Sequence, residues 1–212
     1  MSAYNDAITA YSTLALAVVT IALAIYTFKL WKITREMVIS SEKTAIGQLR
    51  AYLYIDSYKY LSHHDAETNS IWWSIHPIWK NGGVTPAMEV SINTSSIILN
   101  EKMDDNFKLH DDFVCSHETI IGQNTIMEGR AIPITSADII AIRNGEKFFY
   151  IWGSAKYKDV FPNTPVRITR FCSTIHSTLG DPTKAYHAES NIVEINIGSH
   201  TRNNFMEDAP PK

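Results

Sequence analysis

The chain has 212 residues, of which 45% are hydrophobic and 19% are charged, and its formal net charge is −3. This length allows one ordinary domain with a hydrophobic core in addition to an apolar N-terminal segment. The negative net charge argues against a general nucleic-acid-binding protein, which would carry a basic surface. The two cysteines, Cys115 and Cys172, are too few for a disulfide framework or a four-cysteine zinc site.

The apolar segment at residues 7–28 contains 22 residues and no charged side chain. As an α-helix it would extend about 33 Å, which matches the roughly 30 Å hydrocarbon core of a bilayer. Residues 1–6 contain an acid and no Lys or Arg, unlike the positively charged start of a cleaved signal peptide. We therefore predict a short external tail at 1–6 and a transmembrane helix at 7–28 in contact with the lipid bilayer.

Basic residues mark only one end of this segment. Lys29, Lys32 and Arg35 follow it directly, whereas no Lys or Arg precedes it. The positive-inside rule therefore places the N-terminus outside and the rest of the chain in the cytoplasm. In that reducing compartment both cysteines would be free thiols.

Small residues recur at alternating spacings of three and four along the predicted transmembrane helix. They are Ala10, Thr13, Ala17, Thr20, Ala24 and Thr27. This spacing places them on one seam of a left-handed helix pair, where small side chains let two backbones approach closely. The seam predicts association with a second copy of the chain or with another membrane protein. Because Ala and Thr are common in such helices, chance is the competing interpretation.

After the apolar segment, residues 29–50 mix charged and apolar side chains without proline, which indicates a helical stalk. From residue 51 the pattern changes to short strands separated by turns. These strands are expected at 51–60, 71–80, 87–99, 147–161, 166–177 and 191–198. In the second of them, one alternating set is expected to face the core, with Ile71, Trp73, Ile75 and Trp79 on one side and Ser74, His76 and Lys80 on the other. The pattern predicts a mainly β fold, an antiparallel immunoglobulin-like β-sandwich over residues 51–198.

Several local features complete this prediction. The turn Pro162–Pro165 predicts a hairpin between the strands on either side of it. Ser136 is expected to open a helical turn, and one or two short strands are expected around Phe113 and Ile120. Residues 199–212 end in Ala-Pro-Pro-Lys and are predicted to be a disordered tail.

Four short stretches occur in order along the chain: RAYL at 50–53, KNGGVTPA at 80–87, GSAKYKDVF at 153–161 and TRFC at 169–172. As an ordered set, they resemble the motifs of a broad group of uncharacterised bacterial single-pass membrane proteins. The resemblance implies a transmembrane helix that carries a β-sandwich, and hence a location in the bacterial inner membrane. One departure is Pro162, which stands where this group usually has Gly. Because the group has no established activity, the resemblance implies none here.

Catalytic and metal sites were sought among the cysteines and histidines. Cys172 and His176, with Cys115 and His117, are zinc-ligand types, but strand residues four apart lie roughly 13 Å apart, too far to share an ion. A cysteine within a strand is usually a small core residue rather than a nucleophile. Residues 63–65 are expected to form a solvated polar loop. We therefore predict no catalytic residue, no cofactor and no metal, and leave the role of both cysteines open.

Five residues form the candidate surface for an unknown protein partner: Trp72, Trp152, Tyr157, Asp159 and Arg170. The two tryptophans lie in strands where one alternating set faces outward, and exposed aromatic residues are typical of interfaces. The other three belong to the motifs above, where turn chemistry and an ion pair between Arg170 and Asp159 are the structural alternative.

The predicted function is that of a membrane-anchored binding or scaffolding protein with a cytoplasmic β-sandwich. Two other functions are compatible with the sequence. One is a membrane-tethered enzyme or effector with a cysteine or metal site. The other is a sensor that signals through association of its transmembrane helix.

Overall fold

A computed structural model describes residues 2–104, 107, 119–187 and 190–209, with side chains from residue 8 onward. It contains two compact units, Met1–Gln48 and Leu49–Lys212. Strands account for 45% of the residues and form antiparallel, curled sheets, and a long helix stands at the N-terminus. The mainly β, antiparallel fold is thus confirmed at this level.

The first unit is formed by helix α1, which extends over Ser2–Leu49. At 1.5 Å per residue, its 48 residues extend about 72 Å. The predicted transmembrane segment and stalk form one uninterrupted helix because this stretch contains no proline and no glycine before Gly47. By length and composition α1 is able to span a membrane, properties that a signal sequence shares.

The second unit, here called the β domain, contains strands β1 to β10 and a short helix α2. The strands are β1 Leu53–Asp65, β2 Ser70–Asn81, β3 Ala87–Leu99, β4 Thr119–Ile121, β5 Ile126–Glu128, β6 Ile132–Thr135, β7 Phe148–Lys158, β8 Arg167–Leu179, β9 Glu194–Ser199 and β10 Phe205–Asp208. Helix α2 extends over Ser136–Arg143.

Two sheets make up this unit. In the first, β1 pairs with one side of β2, and β5 and β6 pair with the other side. In the second, the strand order is β10-β8-β7-β3-β4, and β9 pairs with β8 beyond the end of β10. The described strand pairs are all antiparallel.

Both sheets contribute to one hydrophobic core. Trp73, Ile75 and Trp79 alternate along β2 with side chains that face away from the core, and all three are fully buried. Phe149 of β7 and Phe171 of β8 enter the same cluster. Burial of one such large side chain contributes about 1.5–3 kcal/mol. The predicted inward alternation of the three β2 residues is therefore confirmed.

Local predictions were correct where the turn chemistry was strong. The hairpin around Pro162–Pro165 is confirmed by the pairing of β7 with β8. Helix α2 begins at Ser136, and the Thr135 side chain caps it by accepting a hydrogen bond from the Asp138 N–H. Ile120 lies in β4 as expected, whereas Phe113 lies outside the described residues.

Two predictions of irregular structure are corrected. Residues 63–65 are not a loop: they continue β1, because its pairing with β2 extends to Asp65 opposite Ser70. The predicted tail at 199–212 contains β10, which pairs with the first residues of β8. In both cases backbone pairing orders polar residues whose composition favours a loop or tail.

Candidate functional site

The small-residue seam of α1 uses its threonine hydroxyls internally. Thr13, Thr20 and Thr27 each donate a hydrogen bond of 2.8 Å to the carbonyl four residues earlier in the helix. These bonds give each hydroxyl group a hydrogen-bond acceptor within the helix, which the hydrocarbon of a bilayer would not provide. Ala10, Ala17 and Ala24 are exposed between them. The seam therefore presents methyl groups, so association through it would rest on close packing rather than on donated hydrogen bonds.

The basic residues that are predicted to set the membrane orientation also lie in α1. Lys29, Lys32 and Arg35 are exposed, and the Arg35 guanidinium lies 5.8 Å from the ring centre of Trp31. A tryptophan and basic residues directly after an apolar segment are the residue types that occupy a membrane interface.

The start of the β domain is held by an arrangement that we call the N-terminal clamp: Ala51, Tyr52, Asn81, Gly83 and Asp159. The Ala51 N–H donates to the Asp159 carboxylate at 3.1 Å. The Tyr52 N–H donates to the side-chain oxygen of Asn81 at 3.1 Å. Gly83 packs so closely here that a Cβ on it would lie 2.6 Å from the Ala51 Cα. The first residues of the β domain are therefore fixed at three points.

Asn81 is the centre of this clamp. It is fully buried at the end of β2, and its side-chain oxygen also accepts the Gly83 N–H at 2.9 Å. Its amide nitrogen donates to the carbonyls of Thr85 and Ile121, at 2.8 and 3.1 Å. The side-chain oxygen and nitrogen thus each make two hydrogen bonds, which satisfies the buried amide.

Asp159 brings a buried charge to the clamp. Its side chain is fully buried, and Arg167 donates to it through Nε at 3.2 Å while also contacting Asp208. The predicted pair between Arg170 and Asp159 is wrong, because Arg170 pairs with Glu207 instead. The strand register explains this: Arg167, not Arg170, lies opposite Tyr157, which is two residues before Asp159 in the chain.

Three of the four sequence motifs meet at the clamp. Arg50–Leu53 supplies the held segment, Lys80–Ala87 supplies Asn81 and Gly83, and Gly153–Phe161 supplies Asp159. The fourth motif ends at Cys172, whose N–H and carbonyl are both bonded to the Asn204 side chain. The motif residues therefore have structural roles that require no ligand.

A groove of about 600 Å³ runs along the edge of β1 that faces away from β2. Its lining comes from β1, β8 and β9, together with Asn204 and with Phe205 of β10. On its floor the Tyr58 hydroxyl donates to the Ser173 Oγ at 2.7 Å. Burial raises the pKa of Tyr58 to about 12, so this phenol stays protonated near neutral pH. The groove is thus a concave surface with mixed polar and apolar lining beside an open strand edge.

The five predicted partner-surface residues do not form one exposed patch. Trp152 is only 8% exposed, and the Phe107 ring packs edge-on against it at 6.5 Å. Tyr157 and Asp159 are buried as well, and burial raises the pKa of Tyr157. Trp72 is partly exposed on β2 of the first sheet, whereas Arg170 is partly exposed on β8 of the second sheet and lines the groove.

A second polar arrangement, which we call the Ser74 cluster, lies on the first sheet: Lys59, His63, Ser74, His76 and Glu128. The Ser74 Oγ lies 2.7 Å from His63 Nε2 and 2.9 Å from His76 Nε2. His76 Nδ1 lies 2.7 Å from Glu128 Oε1, and Lys59 Nζ lies 3.0 Å from Glu128 Oε2. The hydrogen bond from Lys59 and the charge of Lys59 lower the pKa of Glu128, which is therefore a carboxylate at neutral pH.

Sequence reasoning missed the Ser74 cluster because the strand register creates it. His63 lies opposite Trp72, and His76 lies opposite Lys59, so both imidazoles lean toward Ser74 between them. Glu128 lies on β5, opposite Ile78 of β2. No local motif marks these positions, and the prediction of a loop at 63–65 separated His63 from the sheet.

In this cluster, hydrogen bonds connect a serine, a histidine and a glutamate in that order, an arrangement that nucleophilic hydrolases also use. Ser74, however, is 1% exposed and lies in the middle of β2, which is paired with β1 and β6 on its two sides. The backbone N–H groups beside Ser74 therefore lie in paired strands, where they make hydrogen bonds between strands and do not form an oxyanion hole. This placement favours a positioning or binding role for the cluster over acyl transfer.

The cysteine arrangement differs from that of a reactive thiol. Cys172 is fully buried, and burial raises its pKa to about 11, which suppresses the nucleophilic thiolate. Cys115 and His117 lie outside the described residues. Within the described ranges, no three His, Cys, Asp or Glu side chains are grouped closely enough to hold a metal ion together.

Comparison of the chain with protein-family models, with curated proteins and with solved structures finds no match. The function is therefore argued from the residues of this chain alone.

Proposed function

We propose that this protein is a single-pass, membrane-anchored binding or scaffolding protein. Helix α1 spans the bacterial inner (plasma) membrane, and the β domain is an immunoglobulin-like sandwich in the cytoplasm. The observation that carries the proposal is the exposure of α1: its most apolar 18-residue window has a mean hydropathy of 2.1 and is 0% buried. Exposed apolar surface costs about 25 cal/mol per Å² in water, so a bilayer is the environment that stabilises it.

The orientation follows from charge. Lys29, Lys32 and Arg35 stand at one end of the apolar segment and no basic side chain stands at the other. Basic residues near the end of a span are retained on the cytoplasmic side, so the N-terminus lies outside.

The N-terminal clamp supports the anchoring role. It fixes Ala51 and Tyr52, which follow closely after the last residue of α1, through side chains of β2 and of the β7–β8 turn. The three points of attachment give the first residues of the β domain an ordered position within that domain.

Binding is assigned to the groove beside β1. Extended segments of partner proteins commonly add to an open strand edge, where backbone hydrogen bonds supply affinity. The groove combines such an edge with the Tyr58–Ser173 hydroxyl pair and with Asp56 and Arg170 among its lining residues. We therefore propose that it receives an extended, polar segment of a protein partner.

Membrane orientation is tested with introduced cysteines in a Cys115→Ala background, in which the remaining Cys172 is fully buried. Ser2→Cys marks the N-terminal end, and Glu67→Cys marks an exposed turn between β1 and β2. In intact cells, a membrane-impermeant maleimide should label Ser2→Cys alone, and after permeabilisation it should label both. Labelling of Glu67→Cys in intact cells would place the β domain outside and contradict the orientation.

Groove binding is tested with two matched substitutions. Ser57→Trp fills the groove, whereas Ser96→Trp places the same side chain at an exposed position of β3 outside it. A photoreactive residue at Asn196, on the groove wall, should yield membrane-dependent adducts that Ser57→Trp abolishes and Ser96→Trp retains. Equal adduct patterns in both variants would show that the groove is not the binding surface.

A further inference from the structure

Strand β10 is attached to the β domain by little buried apolar surface. All four of its residues are exposed, and among the described strands it pairs with β8 alone. Its apolar side chains, Phe205 and Met206, are 44% and 36% exposed, whereas β4 and β9 of the same sheet bury Ile121 and Ile195. Segments that bury little apolar surface open locally at a low free-energy cost. β10 is therefore a strand that a competing segment is able to displace.

The side chains that hold β10 in place are mainly charged. Arg170 bonds to Glu207 and Arg167 bonds to Asp208, and the two carboxylate side chains are 42% and 55% exposed. The Arg170 guanidinium also lies 5.2 Å from the ring centre of Phe205. Exposed ion pairs contribute little stability and are screened by salt. They do select a sequence pattern, an aromatic residue followed two and three positions later by acidic residues.

The β8 side of this contact is rigid and does not depend on β10. Ile168 and Thr169 are buried, and Asp159 bonds to the Arg167 guanidinium from within the clamp. Without β10, this stretch of β8 would present an unpaired strand edge with an arginine at each end. Such an edge accepts an extended segment of another protein, with backbone hydrogen bonds for affinity and side chains for specificity.

We propose that the edge of β8 at Arg167–Arg170 is a binding site for an extended, acidic segment of a protein partner, and that β10 occupies this site within the chain. The partner segment runs antiparallel to β8 in the register of β10, with an aromatic residue at Arg170 and acidic residues that reach both arginines. Because β10 is tethered, it competes at an effective concentration on the order of millimolar and excludes weakly bound segments. The proposal does not rest on binding in the groove beside β1.

The site is tested on full-length protein in detergent micelles. The probe is a synthetic peptide of residues 203–209 that carries a photoreactive methionine analogue at the position of Met206. Because Met206 lies opposite Thr169, the adducts that mass spectrometry maps should lie on β8 around Thr169. A peptide with Glu207→Lys and Asp208→Lys should give about ten-fold fewer adducts, since it meets the arginines with like charges.

Variants of the chain test whether β10 competes with the probe. Glu207→Gln/Asp208→Asn removes both ion pairs of β10 and should raise the adduct yield at least about three-fold. Glu194→Gln is the matched control: it neutralises an exposed acid of β9 and should change the yield less than about two-fold. Equal yields in the parent chain and the Glu207→Gln/Asp208→Asn chain would show that β10 does not occupy the binding site.

A measurement on the unaltered chain guards against misfolded variants. The unlabelled peptide at millimolar concentration should speed hydrogen exchange of the chain's own Phe205–Asp208 at least about two-fold, because the peptide displaces these residues from β8. Exchange of β9 should stay the same. Unchanged exchange of Phe205–Asp208, or adducts that the charge-reversed peptide gives in equal yield, would overturn the proposal.

Discussion

Helix α1 and the β domain contain the same kinds of apolar residues but place them in opposite environments. Leu14, Ile21 and Phe28 of α1 are each more than 60% exposed, whereas Trp73 and Ile75 of the β domain are fully buried. A helix satisfies its backbone hydrogen bonds internally and can therefore turn its side chains toward lipid. Strands need neighbouring strands, and in forming sheets they enclose a core.

The polar groups of the two regions differ in the same way. In α1, Thr20 bonds to a carbonyl four residues away, whereas in the β domain Asp159 binds the N–H of Ala51, 108 residues away along the chain. The interactions of α1 are therefore local, and those of the β domain depend on the whole fold. Substitutions at equivalent residue types should consequently have different effects in the two regions.

The largest effect is expected at the buried charge of the clamp. Asp159→Asn leaves the Arg167 guanidinium, 9% exposed, without its buried counter-charge. The free energy of unfolding of the β domain should fall by about 3–5 kcal/mol, measured by urea titration of tryptophan fluorescence. Arg170→Gln, which removes a more exposed ion pair with Glu207, should cost less than about 1 kcal/mol. Similar losses in both variants would contradict the assigned importance of Asp159.

A matched pair of glycine substitutions compares the two regions directly. Gly83→Ala puts a methyl group 2.6 Å from the Ala51 Cα and 2.7 Å from the Tyr52 N, and should destabilise the β domain by about 1–3 kcal/mol. Gly47→Ala in α1 meets no atom within 4 Å and should stabilise the helix by about 0.5–1 kcal/mol. Urea titration checks the first and helical circular dichroism the second. A neutral Gly83→Ala would show that the clamp is not tightly packed.

The seam of α1 is tested by association rather than by unfolding. Ala17→Ile adds bulk to the seam and should weaken helix pairing by about ten-fold, measured by energy transfer between labelled full-length chains in vesicles. Ala15→Ile adds the same bulk on the opposite side of the helix and should leave pairing unchanged. If both variants pair as the parent chain does, the alternation of Ala and Thr is a chance pattern.

The smallest effect is expected at the surface of helix α2. Hydrogen bonds from Lys147 and Thr135 lower the pKa of Asp138 below 3.8. The contribution of this carboxylate is therefore fully present above about pH 4 and is lost as the pH falls through the lowered pKa. Asp138→Asn should reduce stability by less than about 1 kcal/mol at pH 7 and by less still in strong acid, measured as urea midpoints. A larger effect in acid than at pH 7 would reverse the assigned sign.

The sequence predicted features that depend on neighbouring residues. The uninterrupted apolar run predicted a helix long enough for a membrane, and Ser136 and Pro162 marked the start of α2 and the turn between β7 and β8. The alternation of Trp73, Ile75 and Trp79 predicted which side of β2 is buried. These patterns act over a few residues, where helical and strand periodicities leave direct signals.

Polar contacts between distant residues were the features that the sequence did not predict. The ion pair of Asp159 was assigned to Arg170 instead of Arg167, and residues 63–65 were assigned to a loop. Both errors concern strand pairing: the first depends on the register of β7 with β8, and the second on how far β1 continues beside β2.

By itself, the sequence determined one long apolar helix, a following mainly β region, and the turns and core alternation of its strongest strands. Only the tertiary structure decided that Asn81 and Asp159 hold the first residues of the β domain. It alone brought His63, Ser74 and His76 together. The physical reason is that helix formation and turns depend on local residues, whereas buried polar contacts depend on which strands become neighbours and in which register they pair.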